Sequence, residues 1–257
     1  MKNPLFLSLL LIPASLQAWE CEHSKDISQT LDLSKSEKLI VKAAAGDLEV
    51  RGVADSDTAV IRGKVCASEE EWLAESTVET SNGTTAEIIV ALPDTGSSWS
   101  VMGQKYVYLD LELDVPNGLP LEVSDSSGDV VIYGVGELSI RDSSGDINIE
   151  DSSGPLSVSD SSGDIEIADI EQDVTIESDS SGNIRGRDIG GTVRVVSDSS
   201  GDISFRDVGK DFIVERDSSG DISANRVRGD FKVMRDGSGD IDARNVDGVV
   251  ETPDDRF

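Results

Sequence analysis

The sequence predicts an all-β protein: a single-stranded, flattened β-solenoid with about two strands per 19-residue coil and an irregular N-terminal cap. Three observations predict it. Asp-Ser-Ser-Gly-Asp followed by a branched apolar residue starts at Asp125, Asp142, Asp160, Asp198 and Asp217, with degenerate copies at Asp151, Asp179 and Asp236. From Asp160 onward the starts step by a constant 19 residues, and a period near 20 marks stacked coils. Adding 19 also exposes uncharged columns, such as Ile165, Ile184, Ile203, Ile222, Ile241 and Val174, Val193, Phe212, Phe231, Val250.

One coil, from Asp198, shows how the residues divide. Asp-Ser-Ser-Gly is a type I turn signature, and the Asp side chain can bond the amides just ahead of it. Ile203-Ser204-Phe205 alternates as a strand does. Val208 sits at a bend, Gly209-Lys210-Asp211 turns, and Phe212-Ile213-Val214 reads as the return strand. Further columns are Ile170, Ile189, Val208, Val227, Val246; Ile176, Val195, Val214, Val233, Thr252; and the variable Ile167, Gly186, Phe205, Ala224, Ala243. Burying each large side chain contributes about 1.5–3 kcal/mol. Ordering each residue costs about 1–2 kcal/mol. A lone coil therefore cannot fold, and the coils must stack between caps. The glycine column Gly163, Gly182, Gly201, Gly220, Gly239 marks a corner where a side chain would strike the next coil. The stretch from Asp142 carries Asp-Ser-Ser-Gly at both 142 and 151, which predicts chemically interchangeable corners.

Taken in order, residues 1–18 read as a secretory signal peptide: Lys2, the apolar run Leu5 to Ile12, and Leu16-Gln17-Ala18 as a cleavage site. The run is too short to span a bilayer, no other segment is long enough, and Cys21 lacks the small neighbours of a lipid-attachment site. Residues 19–115 are strand-like without a clear period. Candidate strands are Leu39 to Ala43, Gly46 to Val50, Thr58 to Val65, Thr85 to Leu92 and Tyr106 to Val115, and the one helix candidate is Glu69 to Ala74. This region is expected to be the N-terminal cap and first irregular coils, with a separate small β-domain as the alternative. Regular repeats occupy 116–252, and 253–257 form a charged tail in which Pro253 blunts the open edge. In an oxidising compartment Cys21 and Cys66 would pair, which is favoured over two buried free thiols.

The chain carries 51 acids against 22 bases, net −29. Nucleic acid and anionic lipid need basic patches and are excluded as expected partners. The acids align in two columns: Asp160, Asp179, Asp198, Asp217, Asp236 at the corner, and Asp164, Asn183, Asp202, Asp221, Asp240 just after it. Stacked strands lie about 4.8 Å apart. Neighbouring carboxylates would then repel by roughly 1 kcal/mol in water and about 3–4 kcal/mol at an effective dielectric of 20. Three offsets are open. Turn amides could neutralise the charge; Arg187, Arg206, Arg244, Arg216 and Arg235 could pair with it; or calcium could bind between coils. Asp160, Asp179, Asp198, Asp217, Asp236, Asp202, Asp221 and Asp240 are the candidate calcium ligands. The frame differs by one residue from the calcium-binding β-roll nonapeptide, which favours turn capping.

Catalytic sets are missing from the sequence. The single histidine, His23, lies outside the repeats, and no Ser-His-Asp set, phosphate loop or HExxH or CxxC signature is present. An active site is singular, whereas these carboxylate pairs recur in every coil. A β-helix polysaccharide lyase keeps a minor place among the readings, although Trp19, Trp72 and Trp99, the side chains suited to sugar stacking, lie outside the repeats.

The run Ser-Gly-Asp-Ile-x-Val/Ile, then apolar-x-apolar, then Ser-Gly-Asp-Ile again, resembles a bacterial family of β-strand-repeat proteins of unknown function, commonly labelled "putative adhesin". The resemblance includes Gly46-Asp47-Leu48-Glu49-Val50, the Val115-Pro116-Asn117-Gly118 step and the run from Glu122 to Glu251. It implies a β-solenoid at or beyond the cell envelope, and brings no functional residues with it. The expected protein is thus a periplasmic or secreted, non-enzymatic binding or structural module. Its ligand and oligomeric state are undetermined by sequence, and a calcium-stabilised scaffold is the alternative.

Overall fold

Period-2 alternation along the chain becomes strands whose branched residues face one narrow interior. The computed structural model describes residues 21–94 and 105–253; the expected signal peptide, Trp19, Trp99 and residues 254–257 lie outside them. In the N-terminal part the strands are β1 (His23–Asp32), β2 (Lys38–Lys42), β3 (Leu48–Val53), β4 (Thr58–Ala67), then the short helix α1 (Trp72–Glu75), β5 (Thr77–Ser81), β6 (Thr85–Ala91) and β7 (Val107–Pro116). The repeats supply β8 (Leu121–Ser124), β9 (Val130–Tyr133), β10 (Leu138–Arg141), β11 (Ile147–Ser152), β12 (Leu156–Ser159), β13 (Ile165–Ile170), β14 (Val174–Ser178), β15 (Ile184–Ile189) and β16 (Val193–Val195). They continue as β17 (Ile203–Val208), β18 (Phe212–Val214), β19 (Ile222–Val227), β20 (Phe231–Val233), β21 (Ile241–Val246) and β22 (Val250–Glu251).

Each coil lends one strand to each of two 11-stranded sheets, which gives the flattened solenoid. The repeat strands pair in parallel at the register the 19-residue step requires. Ile184 lies opposite Ile203, Ile203 opposite Ile222, and Ile222 opposite Ile241. On the second sheet Val193 meets Phe212, Phe212 meets Phe231, and Phe231 meets Val250. Members of these columns are fully buried until the last coil, where Ile241, Ala243 and Val246 are only half-buried and Val250 is exposed. The interior also adjusts from coil to coil. Gly186 leaves a space that Phe205 fills, since a Cβ on Gly186 would stand 2.0 Å from that ring. Phe205, Phe212 and Phe231 then pack in succession with ring centroids 5.4 Å apart.

The glycine column behaves as expected. Gly201 sits at φ +129, and a Cβ there would lie 1.6 Å from the carbonyl oxygen of Gly182 in the adjacent coil. Coils approach at this corner as closely as backbone allows, and the Gly201 amide donates to Ser219 in the next coil at 3.2 Å.

The two corners of a coil are not interchangeable, contrary to the reading of the doubled Asp-Ser-Ser-Gly. Asp151 is exposed and left-handed at φ 61, in line with Asp169, Asp188 and Asp207 at φ 56–58. Its neighbour Ser152 takes the inward place of Ile170. Asp142, with the same four letters, is buried and followed by Gly145 at φ 127. The strand frame, which sets which residue must point inward, decides the conformation that the tetrapeptide adopts.

The N-terminal coils join the same stack out of chain order. β3 pairs in parallel with β9, and β7 lies on its other side. β4 and β1 then continue the sheet with antiparallel pairing. On the opposite sheet β2 pairs with β8 and β6, and β5 closes the edge antiparallel. The Cys21–Cys66 disulfide, with Cα atoms 5.3 Å apart, ties the start of the described chain to β4. None of the helices among the described residues is long and apolar enough to cross a membrane.

Candidate functional site

The sequence placed its candidate ligands at the Asp-Ser-Ser-Gly-Asp corner, and the structure divides them into two columns with opposite surroundings. The second Asp of each motif forms a surface ladder. In it a side-chain oxygen of one coil accepts the backbone N–H of the same position in the next. The ladder runs from Asp110 through Asp47, Asp129, Asp146, Asp164, Asn183, Asp202 and Asp221 to the amide of Asp240, at 2.8–3.1 Å throughout. Its order is the strand order of the first sheet. Each carboxylate replaces a backbone acceptor where the strand has not yet begun, and a charged acceptor strengthens the bond. The Asn183 amide and the Arg185 guanidinium hold the Asp164 carboxyl below its ordinary range. Asp202 and Asp221 each cap the amide of the next coil in this ladder, and Asp240 takes part through its backbone N–H alone.

The first Asp of each motif is turned inward. Asp125, Asp142, Asp160, Asp179, Asp198 and Asp217 are between 1 and 6 % exposed. Of the two surroundings considered for these acids, water and a lower dielectric, the structure gives the second: the turn folds its Asp beneath itself. One carboxylate oxygen can serve the turn, as Asp160 Oδ1 does by accepting the amides of Ser161 at 2.6 Å and Ser162 at 3.3 Å. Asp179, Asp217 and Asp236 accept from Ser181, Ser219 and Ser238 at 3.1–3.2 Å. The other oxygen is left over. Oδ2 of Asp142, Asp160, Asp179 and Asp217, and both oxygens of Asp125 and Asp198, are buried without a hydrogen-bond partner. Asp236, near the end of the stack, is half-buried.

Burial raises the carboxyls of this file above the ordinary range, and like charges in neighbouring coils add to it. Asp125 and Asp179 are pushed up to about 7, Asp160 and Asp198 to about 6, and Asp142 and Asp217 are raised by the same burial. The arginines expected to neutralise the corner act elsewhere. Arg187 pairs with Asp169, Asp188 and Glu150, and Arg244 with Asp242. Among the described residues no three His, Cys, Asp or Glu side chains converge as metal ligands. His23 lies on β1, away from both columns.

Sequence reasoning missed the opposite corner. There Asp151, Asp169, Asp188, Asp207, Arg226 and Asn245 take left-handed backbone. They border an open groove of about 800 Å³ floored by Ile170, Ile189, Val208 and Val227. The signal was available: Asp or Asn precedes the Ile/Val column at four of its five coils from Asp169, and these residue types tolerate positive φ.

A solved structure shares this architecture. A protein from Bacteroides fragilis described as a "putative adhesin" aligns over 89% of this chain and 97% of its own, at TM-score 0.52 and 15% identity. A "putative lipid binding protein" from Parabacteroides distasonis aligns over 88% and 96%, at TM-score 0.39 and 16% identity. No curated protein matches the chain. The family model described as Toastrack DUF4097 matches residues 19–187, more than half of the chain, and the chain belongs to this family.

Proposed function

We propose that the chain is a non-enzymatic structural or binding module of the cell envelope, held outside the cytoplasm and displaying its long solenoid faces to an extracellular ligand. One observation carries this reading: the polar chemistry is distributed, recurring coil after coil at fixed columns. An extended face of that kind suits a repetitive or elongated partner, as other solenoids present. The Cys21–Cys66 bridge supports an oxidising compartment, and the family and its "putative adhesin" neighbour agree with a binding role.

Fractionation of cells expressing the tagged full-length chain, with thiol labelling, tests location; a reduced pair in the cytoplasm would count against export. Binding of the purified protein to envelope polymers and polysaccharides tests the binding role, with saturable retention expected. Acidic polysaccharides incubated with protein and calcium should yield no unsaturated products. Their appearance would replace this reading with that of a β-helix lyase.

A further inference from the structure

The corner aspartates pose a problem that the proposed binding role does not use. Six carboxyls, each at least nine-tenths buried, stand one per coil along one edge, and each has at least one oxygen without a partner. Apart from the turn amides already described, every titratable group facing them is another acid. Asp47 and Asp142 face Asp125; Asp125 and Asp129 face Asp142; Asp142 and Asp146 face Asp160. Asp160 and Asp198 face Asp179, Asp217 faces Asp198, and Asp202 and Asp236 face Asp217. A column of buried unpaired anions does not persist in a packed interior. Either cations enter or the carboxyls hold protons. Calcium needs six to eight oxygens around it. Here the neighbouring serine carbonyls are already engaged: Ser143, Ser161, Ser180 and Ser199 accept hydroxyls from Ser162, Ser181, Ser200 and Ser219. A proton needs no coordination sphere, and at Asp125 the carboxyl of Asp142 in the adjacent coil stands as its hydrogen-bond partner.

We propose that Asp125, Asp142, Asp160, Asp179, Asp198 and Asp217 form a proton-sharing file, in which neighbouring coils hold common protons along the buried corner and the stack loosens as those protons are withdrawn. The sign follows from linkage. In the unfolded chain these carboxyls ionise near their ordinary 3.8, whereas in the fold Asp125 and Asp179 keep protons to about 7, Asp160 and Asp198 to about 6, and burial raises Asp142 and Asp217 in the same direction. Folding therefore takes up protons between those limits. The stabilisation is full below the unfolded value and is lost as pH rises through the folded one. Because the sites are coupled, the midpoints belong to the file rather than to single residues.

Carboxyl carbon NMR of the full chain, titrated from pH 3 to pH 9, reads the protons directly. Several aspartate resonances should titrate above pH 5.5, while that of Asp164 in the surface ladder stays below the ordinary carboxylate range. Asp198→Asn, a neutral isostere, should remove one of the high midpoints and shift its neighbours downward. All aspartates titrating below pH 5 would overturn the proposal. In urea, the wild-type midpoint should fall from pH 5 to pH 8. Asp198→Asn should raise the pH 8 midpoint by more than the exposed control Glu177→Gln, which separates the file from the general relief of negative charge. Equal gains in the two variants would overturn it. So would a wild-type gain from millimolar calcium at pH 8 that Asp198→Asn abolishes, since a cation would then occupy the file.

Discussion

Gly201→Ala probes the tightest glycine contact among the described residues. The substitution adds a single methyl group, which would sit 1.6 Å from the Gly182 carbonyl oxygen and 2.6 Å from its carbon, both backbone atoms. Neither can rotate away, so the coils must separate. The residue is also at φ +129, a conformation that alanine adopts at a cost of about 1–3 kcal/mol. Separating the coils adds the loss of packing around Ile203 and Ile184, for which overpacked sites give about 1–3 kcal/mol. The sum, about 2–6 kcal/mol, falls on one interface of a quasi-one-dimensional stack, where each coil touches only its neighbours. Hydrogen exchange by mass spectrometry suits such a local defect. Protection should drop in the coils from Asp179 to Glu251, while β2, β3 and β7 keep theirs. Gly118→Ala is the control, since nothing lies within 4 Å of a Cβ built there. Equal protection in the two variants would refute the reasoning, because it would mean that the corners do not touch.

Other substitutions test other parts of the account. Phe212→Ala removes the ring between Phe205 and Phe231 and should cost about 3–5 kcal/mol, read as a lower urea midpoint. Cys66→Ser opens a link of 45 residues' separation, and should lower stability by about 4 kcal/mol on the loop-entropy relation, an effect matched by reducing the wild type. Arg226 holds left-handed backbone at φ 62 where other coils have Asp or Asn. Arg226→Asn should therefore be neutral or stabilising by about 1 kcal/mol, since the exposed pair with Asp207 that it gives up is worth at most about that much. A loss above 2 kcal/mol would show that this pair does more than cover the corner.

Much of the fold was legible because each coil repeats the same solution. Five inward positions at a 19-residue step gave strands, register and corner glycines, and the pairing of Ile203 with Ile222 follows from that step alone. The out-of-order N-terminal stack was not legible, since β3 finds β9 across 82 residues, from Leu48 to Val130, and local pattern carries no such pairing. The site was half-legible. Alignment of the two Asp columns could be read directly, but whether a given Asp lies on the inner or outer side of its turn depends on the rotation of the corner. That rotation buries Asp198 and leaves Asp202 outside to cap its neighbour. The left-handed corner was hidden because Asp before Ile or Val fits an outward strand position equally well.

The claim beneath all of this is that residues one coil apart lie directly over one another. Spin labels at Ser204 and Ser223, whose hydroxyls are 3.0 Å apart on the outer face, measure it in solution. A third label at Asp242, paired opposite Ser223, extends the series. The stack predicts backbone separations of about 5 Å for 204–223 and about 10 Å for 204–242, with correspondingly strong and weaker dipolar coupling. Separations beyond about 20 Å for either pair, four strand spacings or more, would contradict it.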